Sequence, residues 1–333
     1  FRQSDIPKRL IPGTIALGAF TFTMDSLPGT PQIQNIIPTT FFKTTTWAAP
    51  WLGLIGSVVI LVAGLTYLEL LRRRAAKAGE GYGTGHSQEP EPVEERGLPH
   101  PLIALLPLII VGVMNKVFTT LIPRFYGPTS EVSLPGLDHP VAVQVSAVAA
   151  IWAVQGALLL GILAVVILAF RPVTSRFAEG TKAAVAGSLL ASMNTASEYG
   201  FGSVIAALPG FLVIKDALRA IPNPLVNEAI TVSALAGITG SASGGLSIAL
   251  AAMADQFIAA ANKAGIPLEV LHRVASMASG GMDTLPHNGA VITLLAVTGL
   301  THRQSYKDIF AITCIKTATV FVVIGVYYLT GIV

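Results

Sequence analysis

Long apolar runs alternate along this chain with short polar interruptions. The runs cover 10–42, 49–71, 101–122, 143–170, 180–219, 227–262, 268–300 and 305–332. A helix needs about 20 apolar residues to cross a bilayer, and the ten-residue alternation of a membrane barrel is not seen. The pattern predicts an all-α polytopic membrane protein. Two polar stretches separate the runs. Residues 72–100 are rich in Gly, Pro and Glu and read as a disordered linker. Residues 123–142 read as a shorter loop.

Four of the runs are interrupted from within. The phrase "FTFTMDSLPGTPQIQN" at 20–35 returns in altered form as "GGMDTLPHNGAVIT" at 280–293. A single helix over 10–42 would be about 50 Å long, against a hydrocarbon core of about 30 Å. Pro12, Pro28, Pro31 and Pro38 cannot all lie inside it, so a break is expected at 25–35. Unwound backbone at that depth has to be buried in protein or face a wet cavity. Further breaks are expected at 283–288 and within "GITGSASGG" at 237–245. In run 180–219, the polar phrase "SMNTASEYGFG" at 192–202 predicts the tip of a re-entrant hairpin.

Basic residues near span ends set orientation. Arg72, Arg73, Arg74 and Lys77 place the linker in the cytoplasm; Arg171, Arg176 and Lys182 do the same for the next inward end. With 180–219 as a hairpin, Lys215 and Arg219 also stay inside. Run 227–262 then goes outward, 268–300 inward and 305–332 outward. The two Met-Asp phrases thereby point in opposite directions. That is the mark of inverted repeats whose broken helices meet at mid-membrane around a substrate. The expected division is 1–71 as the end of a first repeat with its upstream part missing, 72–100 as linker, 101–179 as connecting spans and 180–333 as the second repeat.

Composition adds little beyond this. Charged residues make up 12% of the 333, against roughly 25% in soluble domains. The net charge of +3 offers no nucleic-acid patch, and a lone cysteine, Cys314, allows no internal disulfide and no metal cluster. Cofactors are expected to be none. The expected partners are the lipid bilayer and a small organic anion, with homo-oligomerisation left open.

Broken helices present N–H groups that suit an anion and carbonyls that suit a cation. Candidate substrate ligands are Ser26, Gly29, Thr30, Gln32 and Asn35 in the first break, and Asn194, Thr195 and Ser197 at the predicted hairpin tip. Ser241 and Ser243 are candidates in the serine-glycine phrase, and Thr284, His287 and Asn288 in the second break. Asp25, Glu198 and Asp283 are candidates for coupling a proton or cation, since carboxylates at membrane depth are functional by default. The plainer reading makes both aspartates helix caps, Glu198 a solvated loop residue, His287 a satisfied buried histidine and "SASGG" a packing face. Lys316 reads as snorkelling or structurally paired, and Lys116 and Glu69 as solvated near span ends.

"LPGTPQIQN", "NTASEYGFGSVIAALPGF", "AGITGSASGG" and "ASGGMDTLPHNGAVITLLAVTGLTH" together resemble the gluconate permease family of proton symporters. The likeness is strongest to its branch for D-β-hydroxybutyrate and similar short acids. It covers essentially the whole chain and implies inverted repeats, two re-entrant hairpins, a longer N-terminal half and a proton as coupling ion. Gluconate transporters carry a histidine-rich phrase at the first break; "SLPGTPQIQN" has no histidine. The expectation is a non-enzymatic carrier of the bacterial inner membrane that imports a small monocarboxylate or hydroxy acid with protons. An anion channel or exchanger without proton coupling is one rival. The other is an intramembrane aspartyl hydrolase using Asp25 and Asp283, although the Gly-x-Gly-Asp setting is absent.

Overall fold

The computed structural model describes residues 1–86, 89, 100–133, 140–210, 213, 217, 218 and 221–333. It is an all-helical, multi-pass membrane protein. Among the described residues, five helices are long and apolar enough to cross a bilayer. Strand among the described residues is confined to a small hairpin, Thr129–Val132 (β1) with Val141–Gln144 (β2), at the loop predicted at 123–142.

Both Met-Asp phrases break their helices. In the first, Ile11–Ala19 (α1) stops, a single turn Phe22–Asp25 (α2) follows, and Ile33–Phe42 (α3) resumes beyond Pro28 and Pro31. Pro50–Lys77 (α4) then crosses as one helix. Pro101–Tyr126 (α5) and Val145–Leu168 (α6) form an antiparallel pair with large exposed apolar side chains, as a lipid-facing surface requires. Phe170–Ser175 (α7) leads into Phe177–Ala206 (α8). Pro224–Thr239 (α9) and Ala242–Ala264 (α10) turn about Gly240 and Ser241. Leu268–Ser279 (α11), the second break, Gly289–Thr298 (α12) and His302–Thr330 (α13) complete the chain.

Contacts along α13 fix the direction of each broken helix. Residues 9, 13 and 20 of the first meet Ser305, Asp308 and Lys316 in turn, so α1 runs parallel to α13. Residues 281, 283, 284 and 286 of the second meet Thr317, Lys316, Thr313 and His302, so that segment runs antiparallel to α13. The two phrases therefore enter from opposite faces.

Two expectations are overturned. The phrase at 192–202 lies inside the unbroken helix α8, and the first turn comes at 207–208, just before Pro209. No proline falls between 173 and 208, and an Ala-rich stretch tolerates its polar residues as helix. At about 45 Å, α8 is long enough to cross once. Residues 221–223 lie on the face where Tyr328, at the end of α13, bonds the Asn223 side chain. The re-entrant hairpin is instead α9–α10, read from sequence as one outward span. It starts on the Asn223 face, turns beside the second break, and returns to the face from which α11 starts, with Gly245 lying against the Ala236 backbone. The charge reading that placed the hairpin at 180–219 rested on Lys215 and Arg219, which lie outside the described residues.

The predicted linker is also shorter. Helix α4 runs on to Lys77, and residues after it are bound to the N-terminal segment. Arg9 holds Glu80 by a bidentate pair at 2.7 and 2.9 Å, Lys8 holds Glu89 at 2.9 Å, and the Tyr82 amide donates to Asp5. Residues 87, 88 and 90–99 lie outside the described residues.

Hydrogen bonds from Arg9 and Lys8 hold the Glu80 and Glu89 carboxyls below the usual glutamate range. A lowered folded-state pKa gives stability that is complete above the ordinary glutamate pKa and is lost as pH falls through the lowered value. A nitroxide at Thr84→Cys, in a Cys314→Ser background, should therefore be immobile at neutral pH and gain mobility on acidification. With Glu80→Gln and Glu89→Gln combined, it should be mobile throughout.

Candidate functional site

The unwound backbone of the first break is held by one buried arginine. Arg273 is on α11, ahead of the second break, and is fully buried. Its Nε donates to the Ala48 carbonyl at 3.2 Å and its Nη2 to the same oxygen at 2.8 Å and to Thr46 at 3.4 Å. Its Nη1 donates to the Asp25 carbonyl at 3.0 Å and to Asn35 Oδ1 at 3.2 Å. All five guanidinium N–H groups are thus used, and every one goes to an uncharged oxygen. Ser276 Oγ adds a second donor to the Asp25 carbonyl at 2.8 Å.

Asn35 completes the clasp. Its Nδ2 donates to the carbonyls of Thr30 and Thr46, both at 2.9 Å, which fixes the amide orientation. Its Oδ1 must then accept from His272 Nε2 at 3.2 Å, leaving His272 Nδ1 to accept from Thr44 Oγ1 at 2.6 Å. That tautomer makes His272 a neutral structural link. Gly29 sits beneath the Trp47 ring with φ of +75°, where any Cβ would overlap the indole. Its carbonyl accepts from Asn115 of α5 at 2.6 Å. Lys116 lies in the middle of α5, with its ammonium 4.7 Å from the Trp47 ring centre.

The two breaks meet at a charged junction. Lys316 of α13 is 2% exposed. Its Nζ donates to Asp283 Oδ1 at 2.5 Å and to the Phe20 carbonyl, at the end of α1, at 2.8 Å. One ammonium thus joins the carbonyl end of a half-helix in the first repeat to a carboxylate in the second, as a helix dipole favours. Asp25 accepts from Ser26 Oγ at 2.8 Å, and its other oxygen lies directly over Gly280, where a Cβ would overlap it. Asp25 is also within electrostatic range of Lys316, Asp283 and Arg273. Thr284 Oγ1 bonds Thr313 Oγ1, and its carbonyl accepts from Tyr306.

The hairpin tip forms an adjoining layer. Ser241 caps α10 through the Gly244 amide and lies 3.4 Å from Ser243. Asn288 caps α12 through the Val291 amide and donates to the carbonyls of Gly240 at 2.6 Å and Asp283 at 2.8 Å. His287 is exposed, with Nε2 3.1 Å from the Gly237 carbonyl, so the plainer reading of it as a buried histidine does not hold.

The structure thus brings Asp25, Ser26, Asp283 and Thr284 together and sets Ser241, Ser243, His287 and Asn288 beside them. Asn35, Gly29 and Thr30 serve the break itself, Thr30 by donating to the Thr23 carbonyl. Gln32 is exposed at the start of α3 and stands apart. Neither aspartate is a cap; Asn288 caps α12, and the N-cap of α3 is Gln32, which makes no side-chain cap bond. Ser197 is exposed on α8, and the side chains of Asn194, Thr195 and Glu198 lie outside the described residues. Arg273, His272 and Glu228 were missed by sequence reasoning, and Lys316 was set aside. All four are ionisable residues inside apolar runs, which is the available signal.

An uncharacterized transporter, YxjC of Bacillus subtilis (strain 168), is 58% identical over 342 residues, covering 100% of this chain and 72% of the relative. The chain belongs to the family of that transporter. No family model matches it, and no solved structure does. It is a membrane transporter, and its buried junction lies where two oppositely directed helices are unwound.

Replacing Arg273 by Lys leaves three donors for five bonds. Each orphaned buried acceptor costs about 1–3 kcal/mol, so the variant should unfold well below wild type in a detergent melt. Gly280→Ala overpacks Asp25 and should cost about 1–3 kcal/mol. For the ion pair, Asp283→Asn or Lys316→Met alone strands a buried charge, at about 3–5 kcal/mol. The double variant should melt above either single one.

Proposed function

We propose that this transporter is a secondary carrier that imports a small monocarboxylate or hydroxy acid together with a proton. The observation that carries the reading is the Lys316 junction. A positive charge buried between two inverted, broken helices is a natural counter-charge for a substrate carboxylate, and that carboxylate would compete with Asp283 for it. Asp283, once displaced, would be an unpaired buried carboxylate unless it took up a proton. Anion and proton therefore enter together. The Ser26 and Thr284 hydroxyls, next to the two aspartates, are placed to bond a substrate hydroxyl, and the serines of the hairpin tip lie close by.

Substrates like β-hydroxybutyrate, or sugar acids such as gluconate, suit this site by charge and by hydroxyl content. The resemblance of the break motifs to the gluconate permease family supports the same class. Alternating access would come from one repeat rocking against the other around the junction.

The test is uptake of radiolabelled short acids by proteoliposomes of the intact protein, with and without an inward proton gradient. Saturable, gradient-driven accumulation of a hydroxy acid with counterflow is expected. Uptake that rises linearly with concentration and shows no counterflow would make the protein a channel. Saturable exchange that ignores the proton gradient would make it an uncoupled exchanger.

A further inference from the structure

Four carboxylates are buried among the described residues: Asp25, Glu228, Asp283 and Asp308. Three have partners. Asp25 accepts from Ser26, Asp283 from Lys316, and Asp308 from Tyr67 at 3.0 Å and Arg9 at 3.4 Å. Glu228 is fully buried, and neither of its carboxyl oxygens has a hydrogen-bond partner.

Glu228 lies on α9, the first arm of the re-entrant hairpin, just over one turn from the Asn223 cap. That arm packs against α10, α11 and α13. The ionisable groups of those helices are otherwise engaged or turned outward. On α11, His272 and Arg273 are committed to Asn35 and to the loop at 44–48, and Glu269 is exposed. On α10, Asp255 and Lys263 are exposed. On α13, Lys316 and Asp308 are paired, Tyr328 bonds Asn223, and Tyr327 is half-buried. An ionised carboxylate without donor or counter-ion is far costlier to bury than the neutral acid. A glutamine or leucine would fill such a place more cheaply, so a carboxyl kept there points to titration as its use.

We propose that Glu228 is a proton-binding site that governs closure of the α9–α10 hairpin. The packed arrangement admits Glu228 only as the neutral acid. When the hairpin loosens, the acid meets water on the Asn223 face and passes its proton to it, and the carboxylate left behind holds the arm open until it is protonated again. Because the hairpin tip is bonded to the second break through Asn288 and His287, the state of Glu228 is transmitted to the substrate junction. This rests on the proton-coupled reading above and places the gating proton apart from the junction.

Hydrogen exchange of the intact protein in liposomes tests the proposal without a substrate. Protection of the 224–239 amides, corrected for intrinsic rates, should fall as pH rises in wild type. It should stay high at every pH in Glu228→Gln, the isosteric mimic of the neutral acid. Infrared spectra of wild type should show the carbonyl stretch of an unbonded carboxylic acid, lost on alkalinisation and absent in the variant. This arm needs no variant if Glu228→Gln fails to fold. Protection in wild type that does not change with pH, or no such infrared band at any pH, would overturn the proposal. With β-hydroxybutyrate as probe, Glu228→Gln should flatten the part of the pH profile of uptake that follows hairpin opening, leaving the dependence due to Asp283, and keep counterflow; an unchanged pH profile would also overturn it. Failure of wild type to transport the probe at all would count against the substrate class, and the exchange and infrared results would still decide Glu228.

Discussion

Peptide groups released from a helix at mid-membrane have no water to bond, and the rest of this structure follows from how they are satisfied. The fold gives the task to Arg273. A guanidinium is weakly hydrated for a charged group and presents donors in a rigid fork, so it can bond several carbonyls of an unwound loop at once. Ala48, Thr46, Asp25 and Asn35 all accept from it. The donor belongs to the second repeat and the acceptors to the first. The same bonds that make the first break tolerable therefore join the two repeats, and the Lys316 junction is built on that joint.

This dependence explains which residues look functional and which are structural. Asn35, Gly29 and Thr30 have polar character because a break needs it, and their bonds are used within the protein. Asp25, Asp283 and Lys316 carry more charge than a break requires. They sit where the carbonyl end of α1 meets the second phrase, so the buried charge is concentrated at the joint between the two breaks.

The breaks themselves were legible because proline and length leave no other reading: Pro28 and Pro31 cannot continue a helix, and 10–42 is too long to be one. The opposite directions came out right although the hairpin was misplaced, because one crossing followed by a hairpin leaves 268–300 running the same way as a hairpin followed by one crossing. The hairpin was misplaced for a physical reason. A stretch such as "ASMNTASEYG" is polar yet free of proline, so it stays helical, whereas the hairpin turn at Gly240 needs only a glycine of positive φ and a serine cap. Arg273 and Lys316 were hard to read because their importance lies in partners more than two hundred residues away in sequence, at Asp25 and Phe20.

The contact between Asp25 and Gly280 has a mechanical consequence. Only the Asp25 carboxylate separates the two chain segments there, lying against the bare backbone of Gly280, so neither segment can slide past the other without losing the contact. In the carrier proposed above, rocking of the two halves would be left with rotation about that point. Such a fulcrum would swing the two ends of each half in opposite senses, so that a gap widening on one side of the bilayer would narrow on the other.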